Sequence, residues 1–167
     1  RKPGGRGWRM AFDYRDTNTV LVKQHYGLKS VRGCIDQLAN SKYFTTLDMI
    51  SAFWQVPVAT GSRKYTAVNF EGAKLEFTTL PMGMQAASAI FQRNMDVLLS
   101  GLQPEIAISF IDDVLIYGGE TLMEHLQLVT IVLDRIGGAG FTMRPDKCYF
   151  GMRSVEFLGS RVGNGTI

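Results

Sequence analysis

The chain has 167 residues, of which 46% are hydrophobic and 20% charged, and its formal net charge is +3. This composition is typical of one folded domain and excludes a disordered tail. Two widely separated cysteines argue against a secreted disulfide scaffold, and no apolar run approaches the ~20 residues needed to cross a bilayer.

Positive charge is concentrated at the N-terminal end of the chain. Residues 1–32 carry eight Lys and Arg but two Asp, a net charge of +6, so the remaining residues sum to −3. A basic segment beside a mildly acidic body favours binding of a polyanion near one edge, and a solvated charged flank is the equally weighted alternative. The start lacks both the apolar core of a signal peptide and an initiating Met, so we expect a piece of a longer polypeptide.

The first third of the chain predicts a strand, a helix and a second strand. Alternating polarity over residues 8–14 favours a strand, and helical spacing over residues 30–39 favours a short amphipathic helix. The β-branched and aromatic run Tyr43–Leu47 predicts a strand that ends at Asp48. A helical turn is expected next, before Pro57.

The middle of the chain predicts a hairpin, a helix and a second hairpin. Their expected bounds are Tyr65–Phe70 with Leu75–Thr79, then Gln85–Ser100, then Ile106–Ile111 with Val114–Tyr117. Gly72 is typical of the first turn, and Gln92 is expected on the polar face of the helix together with Arg93 and Asp96. The second turn is expected at Asp112-Asp113.

A second long helix over about residues 122–136 and short strands around residues 141–143 and 155–158 complete the expected elements. Close hairpins require antiparallel pairing, while helices interleave with the strands. The expected fold class is therefore α+β, an antiparallel sheet with helices on one face.

Three acidic residues end or join apolar strands, namely Asp48, Asp112 and Asp113. Adjacent, partly desolvated carboxylates repel each other and need a cation or a proton. A hard divalent ion such as Mg²⁺ or Mn²⁺ suits oxygen ligands, and three carboxylates can hold two such ions about 3.5–4 Å apart for phosphoryl transfer. Taken singly, an Asp-Asp pair more often forms a solvated turn, and Asp48 more often caps the following turn.

The order of short motifs resembles the reverse transcriptases of gypsy-type (metavirus) LTR retrotransposons over nearly the whole chain. The motifs include Trp8-Arg9-Met10, Leu47-Asp48, Leu80-Pro81-Met82-Gly83, Phe91-Gln92-Arg93, Phe110-Ile111-Asp112-Asp113, Pro145-Asp146-Lys147-Cys148 and Phe157-Leu158-Gly159. The resemblance implies a polymerase palm plus partial fingers. The fingers would span about 1–32 and 57–83, the palm about 33–56 and 84–167, and the thumb, connection and RNase H domains would be absent.

The resemblance also implies roles for individual residues. The metal-binding catalytic carboxylates would be Asp48, Asp112 and Asp113, with Lys147 as the acid that protonates the leaving pyrophosphate. The residues that contact the dNTP would be Lys2, Arg9, Phe53, Met82 and Gly83, and the ring of Phe53 would exclude a 2′-hydroxyl unless it is simply a core aromatic. The residues that contact the template-primer would be Phe110, Ile111, Phe157, Leu158 and Gly159. His125 is expected to be a solvated or capping residue of its helix.

The expected function is an RNA-directed DNA polymerase of a retroelement that uses two Mg²⁺ (or Mn²⁺) ions to transfer dNTPs onto a primer 3′-OH. The expected partners are an RNA or DNA template with primer, dNTPs and the protease, RNase H and integrase of a Pol polyprotein, with no membrane. The expected place is a cytoplasmic virus-like particle, with a nuclear phase as a second compartment. Without a thumb, the fragment alone is expected to be weakly active.

Two departures from the family pattern leave an alternative open. Phe110 stands where the family box usually begins with Tyr, and Met82 stands where an aromatic residue or Gln is common. The alternative is a decayed or co-opted polymerase fold that binds nucleic acid or protein without catalysis.

Overall fold

Helices and antiparallel strands alternate along the chain in this computed structural model, which describes residues 12–22, 26, 27, 30, 33, 38 and 41–163. The helices are α1 (Arg15–Val20), α2 (Ala87–Leu98) and α3 (Leu122–Gly138). The strands are β1 (Phe44–Asp48), β2 (Val68–Phe70), β3 (Ala73–Leu75), β4 (Ala107–Phe110), β5 (Asp113–Tyr117), β6 (Tyr149–Met152), β7 (Ser154–Phe157) and β8 (Ser160–Gly163). Short 3₁₀ helices occupy Ala52–Gln55, Thr60–Thr66 and Pro145–Lys147.

The central feature is a four-stranded sheet in the order β4-β5-β1-β6. Each neighbouring pair is antiparallel, and the register of β1 on β5 runs from Phe44 opposite Tyr117 to Asp48 opposite Asp113. Strands β2 with β3 and β7 with β8 form two separate hairpins. The predicted α+β fold class, with antiparallel pairing, is confirmed.

The chain divides into two compact units. One consists of Arg1–Gln24 and Phe53–Ser88, and the other of His25–Ala52 and Ala89–Ile167. The four-stranded sheet, the β7–β8 hairpin and α3 all belong to the second unit. The division into fingers and palm stays a prediction.

One hydrophobic core cluster of the second unit joins the sheet to the β7–β8 hairpin. It consists of Leu38, Phe44, Ile108, Leu115, Tyr117, Val155, Phe157 and Val162. Burial of these side chains stabilises the fold by about 25 cal/mol for each Å² of apolar surface removed from water. In the described part of the chain, no helix is long and apolar enough to span a membrane.

His125 fixes α3 to the sheet and is fully buried, so the expectation of a solvated or capping residue is wrong. Its Nδ1 lies 2.9 Å from the Gly118 carbonyl oxygen, and its Nε2 lies 2.8 Å from Thr45 Oγ1. Because the carbonyl can only accept, Nδ1 carries the proton and Nε2 accepts from the Thr45 hydroxyl. Thr45 Oγ1 in turn accepts from the Gly151 N–H at 3.1 Å, so one imidazole connects α3 to β1 and β6.

Three sequence predictions differ from the structure within the described residues. The expected strand Leu75–Thr79 is wrong beyond its first residue, since β3 spans Ala73–Leu75 and residues 76–78 form no strand. The acidic turn consists of Ile111 and Asp112, and Asp113 already belongs to β5. The expected strand at 141–143 is wrong, since only Met143 forms an isolated bridge there. Pro145 opens a 3₁₀ turn and has no N–H to donate, which prevents that segment from extending the sheet. Most of the expected strand at 8–14 and most of the expected helix at 30–39 lie outside the described residues.

Candidate active site

Two carboxylates meet at one end of the central sheet. Asp48 is the last residue of β1, Asp113 is the first residue of β5, and the antiparallel register places them directly opposite each other. Asp112 precedes Asp113 in the turn, and both are exposed to solvent. Like charges directly opposite in a sheet destabilise it, so this arrangement calls for a bound cation or proton.

The pKa of Asp113 is raised by partial burial and by the neighbouring carboxylates. Partial removal of water by the surrounding protein raises the pKa of Asp113 above its ordinary value, and the charges of Asp112 and Asp48 raise it further. A divalent cation beside these oxygens would reverse the effect, because it favours the ionised form.

The turn that carries the acidic pair is strained. Ile111 has a φ of 54°, in the left-handed region that β-branched residues avoid. A residue held there costs about 1–3 kcal/mol, which the surrounding structure must offset. The strain sits one residue before Asp112, at the point where the chain reverses from β4 to β5.

Two cations approach Asp48 from the segment that follows α3. Arg144 Nε lies 3.9 Å from Asp48 Oδ1, and Lys147 Nζ lies 3.8 Å from Asp48 Oδ2. The backbone secures this segment, because the Arg144 N–H donates to the Asp48 carbonyl at 2.8 Å and the Ile50 N–H donates to Thr142 at 3.2 Å. Lys147 therefore lies beside the Asp48 carboxylate, and its role as the acid that protonates pyrophosphate stays a prediction.

The donor set at this end of the sheet fits divalent magnesium or manganese. It consists of carboxylate oxygens, the ligands that hard cations prefer. In the described part of the chain, no three His, Cys, Asp or Glu side chains converge into a formed metal cage.

A cavity of about 510 Å³ opens beside these carboxylates. Asp48, Asp113 and Lys147 line one part of it, and Phe157 and Leu158 of the β7–β8 hairpin line another. A cleft with convergent charged groups and apolar walls is the usual form of a ligand site.

Comparison with known proteins identifies the family to which this chain belongs. Residues 1–162 match the family described as reverse transcriptase (RNA-dependent DNA polymerase). The chain belongs to the reverse transcriptase family. The retrovirus-related Pol polyprotein from transposon 412 of Drosophila melanogaster is 35% identical over 154 residues, which cover 92% of this chain. That of the gypsy transposon from the same organism is 33% identical over 151 residues, which cover 90%.

Solved structures of foamy viral protease-reverse transcriptases have the same fold. One in complex with double-stranded DNA has a TM-score of 0.88 and 29% identity, covering 98% of this chain and 28% of that one. Another, in complex with an RNA/DNA hybrid, has a TM-score of 0.84 and 28% identity, covering 93% of this chain and 21% of that one. The chain spans 12% of the transposon 412 polyprotein and 14% of the gypsy polyprotein.

The template-primer residues predicted for this reverse transcriptase domain lie in two hairpins, at the end of the first strand and in the turn that follows it. Phe110 is half-buried and packs with Leu158 against the core, whereas Phe157 is 4% exposed and belongs to that core. Leu158 and Gly159 form the turn of the β7–β8 hairpin, with φ values of 51° and 76°. Phe157 can therefore support the hairpin from inside, whereas Leu158, which lines the cavity, and the exposed Gly159 are accessible to a ligand.

The predicted dNTP-binding residues fall in the first unit or outside the described residues. Phe53 and Met82 are both half-buried, so Phe53 is not a fully buried core aromatic. Gly83 is exposed with a φ of 97°, and its carbonyl accepts from the Asn18 side chain at 2.9 Å. Lys2 and Arg9 lie outside the described residues.

Sequence reasoning missed two residues near the acidic turn. Arg144 carries no motif signal of its own, and only the folding of its segment against Asp48 brings it into the site. Gln92 was expected on the polar face of its helix, and this is wrong, since it is 1% exposed and bonds the turn itself. Its place in the Phe91-Gln92-Arg93 motif was the available signal.

Proposed function

We propose that this chain is the polymerase core of a retroelement reverse transcriptase, which transfers a deoxynucleotide to a primer 3′-hydroxyl by a two-metal mechanism. The observation that carries the proposal is the placement of Asp48 opposite Asp113, with Asp112 adjacent, at the open end of the sheet. Membership of the reverse transcriptase family supports the reaction type.

Each part of the site has a task in this reaction. When bound, two Mg²⁺ ions would supply positive charge that favours loss of the primer hydroxyl proton and stabilises the leaving pyrophosphate. Asp48, Asp112 and Asp113 would hold these ions. Lys147, beside Asp48, would donate a proton to the pyrophosphate oxygen as it leaves. The β7–β8 hairpin, which lines the cavity, would support the primer end.

The proposed partners follow from the relatives. Foamy viral relatives are in complex with double-stranded DNA and with an RNA/DNA hybrid, and we extend such template-primer binding to this chain. The transposon relatives are Pol polyproteins, so we further propose a protease, an RNase H and an integrase as neighbours in one polyprotein. Action inside a cytoplasmic virus-like particle, with a nuclear phase as a second compartment, completes the proposal.

A primer-extension assay tests the proposal directly. The chain, alone and continued into a thumb segment, is given an RNA or DNA template with an annealed primer and dNTPs. We expect weak incorporation by the chain alone and stronger incorporation with the thumb, because phosphate contacts supply much of nucleic-acid affinity. Chelation of Mg²⁺ should stop both. A folded, thumb-containing chain that incorporates nothing with either Mg²⁺ or Mn²⁺ would contradict the proposal.

Substitution of Phe53 by Ala should weaken discrimination against ribonucleotides. If the Phe53 ring occupies the space that a 2′-hydroxyl needs, its removal should raise rNTP incorporation relative to dNTP incorporation by about tenfold to a hundredfold. The ratio of kcat/KM for rNTP and dNTP measures the effect. Phe70→Ala removes an exposed ring of β2 and is the matched control. An unchanged ratio in Phe53→Ala would show that the sugar is selected elsewhere.

The alternative is a decayed polymerase fold that binds nucleic acid or protein without catalysis. Phe110, which lacks the hydroxyl of the usual Tyr, is the observation that favours it. Salt-sensitive binding of template-primer by the thumb-containing chain, with no turnover, would support this alternative, whereas metal-dependent incorporation would exclude it.

A further inference from the structure

Gln92 is a polar side chain that α2 buries beside the acidic turn. It is 1% exposed, and its amide forms hydrogen bonds with three residues. Oε1 accepts from the Ile111 N–H at 2.7 Å, while Nε2 donates to Asp96 Oδ1 at 3.1 Å and to Ser109, with 3.1 Å to Oγ and 3.2 Å to the carbonyl oxygen. This buried amide has hydrogen-bond partners for both its oxygen and its nitrogen, yet it has no role in the proposed reaction.

The orientation of the amide is fixed by its neighbours. Asp96 Oδ1 accepts a hydrogen bond from the Gln92 NH₂ group, and Asp96 Oδ2 accepts one from the Tyr26 hydroxyl at 2.7 Å. An ionised carboxylate only accepts hydrogen bonds, so the NH₂ group must face Asp96, which leaves Oε1 directed at the Ile111 N–H. A reversed amide would set its oxygen against the carboxylate.

The bond to Ile111 falls at the strained residue of the turn. Ile111 has a left-handed φ of 54°, and its N–H is held by Gln92 Oε1. An external hydrogen bond stabilises a conformation that a β-branched residue does not favour by itself. Asp112 and Asp113 follow immediately, so the backbone conformation at Ile111 sets the direction in which both carboxylates leave the turn.

We propose that Gln92 is a positioning residue whose hydrogen bond to the Ile111 amide holds Asp112 and Asp113 in the arrangement that binds divalent cations. Asp96, with Tyr26 behind it, keeps the Gln92 amide in the required orientation. This inference rests on the proposed function, which gives the two carboxylates a cation to bind. Gln92 itself contacts neither substrate nor cation in this role.

The first test replaces Gln92 by Met, which keeps the length of the side chain and removes the amide. We expect the dissociation constant for Mn²⁺, measured on the folded chain from the EPR signal of free Mn²⁺, to rise about tenfold, as for loss of other residues that orient metal ligands. In primer extension by the thumb-containing chain, the Mg²⁺ concentration for half-maximal rate should rise in parallel, with the KM for template-primer unchanged.

The second test uses a paired exchange. In Gln92→Glu, one oxygen can still accept from the Ile111 N–H, but the other faces the Asp96 carboxylate, and we expect a greater loss of Mn²⁺ affinity than in Gln92→Met. Adding Asp96→Asn supplies an amide that donates to Glu at position 92 while its oxygen still accepts from Tyr26. The double variant should therefore recover most of the affinity, which a general loss of packing would not do.

Gln103→Met is the matched control. Gln103 Nε2 lies 3.1 Å from Ser109 Oγ, and its Oε1 accepts from the Ser109 N–H at 3.2 Å, so it bonds the same serine as Gln92. We expect Gln103→Met to lower thermal stability while leaving Mn²⁺ affinity unchanged.

The outcomes separate this inference from the proposed function. Mn²⁺ binding that Asp112→Asn abolishes but Gln92→Met leaves unchanged would overturn the role of Gln92 and leave the proposed function standing. Equal losses in Gln92→Met and Gln103→Met, or no recovery in the double variant, would also overturn it. A folded, unsubstituted chain that binds no Mn²⁺ and incorporates no nucleotide would overturn the proposed function and this inference together.

Discussion

Replacing Asp112 by Asn should lower the rate of nucleotide incorporation by about a thousandfold or more. The change keeps the size of the side chain but removes one of the charges proposed to hold the metal ions, and that stabilisation of the transition state is worth several kcal/mol. The measurement is kcat for primer extension at saturating Mg²⁺. We expect template-primer affinity to be unaffected, because cationic and neutral donors that contact phosphates supply much of it and a carboxylate does not.

Asp134→Asn is the matched control for this prediction. It makes the same chemical change at an exposed position of α3, and we expect full activity. The Asp112→Asn chain should also unfold at no lower temperature than the unsubstituted chain in EDTA, because the substitution removes a charge that raises the pKa of Asp113. Incorporation that survives Asp112→Asn at near the original rate would reject the two-metal mechanism.

Replacing His125 by Leu should lower the free energy of unfolding by about 3 kcal/mol. The imidazole is fully buried, and its loss leaves the Gly118 carbonyl and the Thr45 hydroxyl without this partner in the interior, at about 1–3 kcal/mol for each buried group. Urea unfolding measures the change. Gln127→Leu, at an exposed position of the same helix, is the control and should change stability little.

The stability of the unsubstituted chain should also depend on pH through His125. Burial lowers the pKa of His125 below its ordinary value of 6.5. Between the folded and the unfolded pKa, His125 is therefore neutral in the folded chain and protonated in the unfolded chain. Stability is therefore complete above pH 6.5 and is lost as the pH falls toward the folded pKa, by up to about 1.4 kcal/mol per pH unit.

A comparison of melting temperatures between pH 7.5 and 5.5, values chosen to span the ordinary histidine pKa of about 6.5, checks this dependence. The unsubstituted chain should lose more stability than His125→Leu over that interval. Parallel curves for the two chains would show that His125 does not carry the effect.

Local sequence patterns predicted much of the sheet. The β-branched run that ends at Asp48 became β1, and the apolar runs on either side of the acidic pair became β4 and β5. Such runs predict strands because alternate side chains must be buried. The fold class followed from the closeness of the hairpins, which permits only antiparallel pairing.

The register and the turn geometry could not be predicted in the same way. Nothing local indicates that Asp48 lies opposite Asp113, or that Ile111 adopts a left-handed conformation. Both depend on how distant strands pair. The position of Arg144 could not be predicted for the same reason, because its segment lies almost a hundred residues further along the chain than Asp48.

Helical periodicity misassigned Gln92 because it assumes that a polar side chain faces water. Here α2 lies against polar groups of β4, and Ser109 satisfies the amide in the interior. Periodicity reports where apolar surface is buried, and it carries no information on which polar groups find partners there.

The pairing of Asp48 with Asp113 across two strands bears on how copies of a retroelement accumulate substitutions. If Asp113 holds metal ions as proposed, neutralising it removes a repulsion from Asp48 and Asp112, and among the described residues it breaks no side-chain hydrogen bond or ion pair of Asp113. A lineage could then lose the proposed chemistry by one substitution and still encode a protein that folds. Silenced copies are then open to reuse as binders, since selection against misfolded protein would not eliminate them.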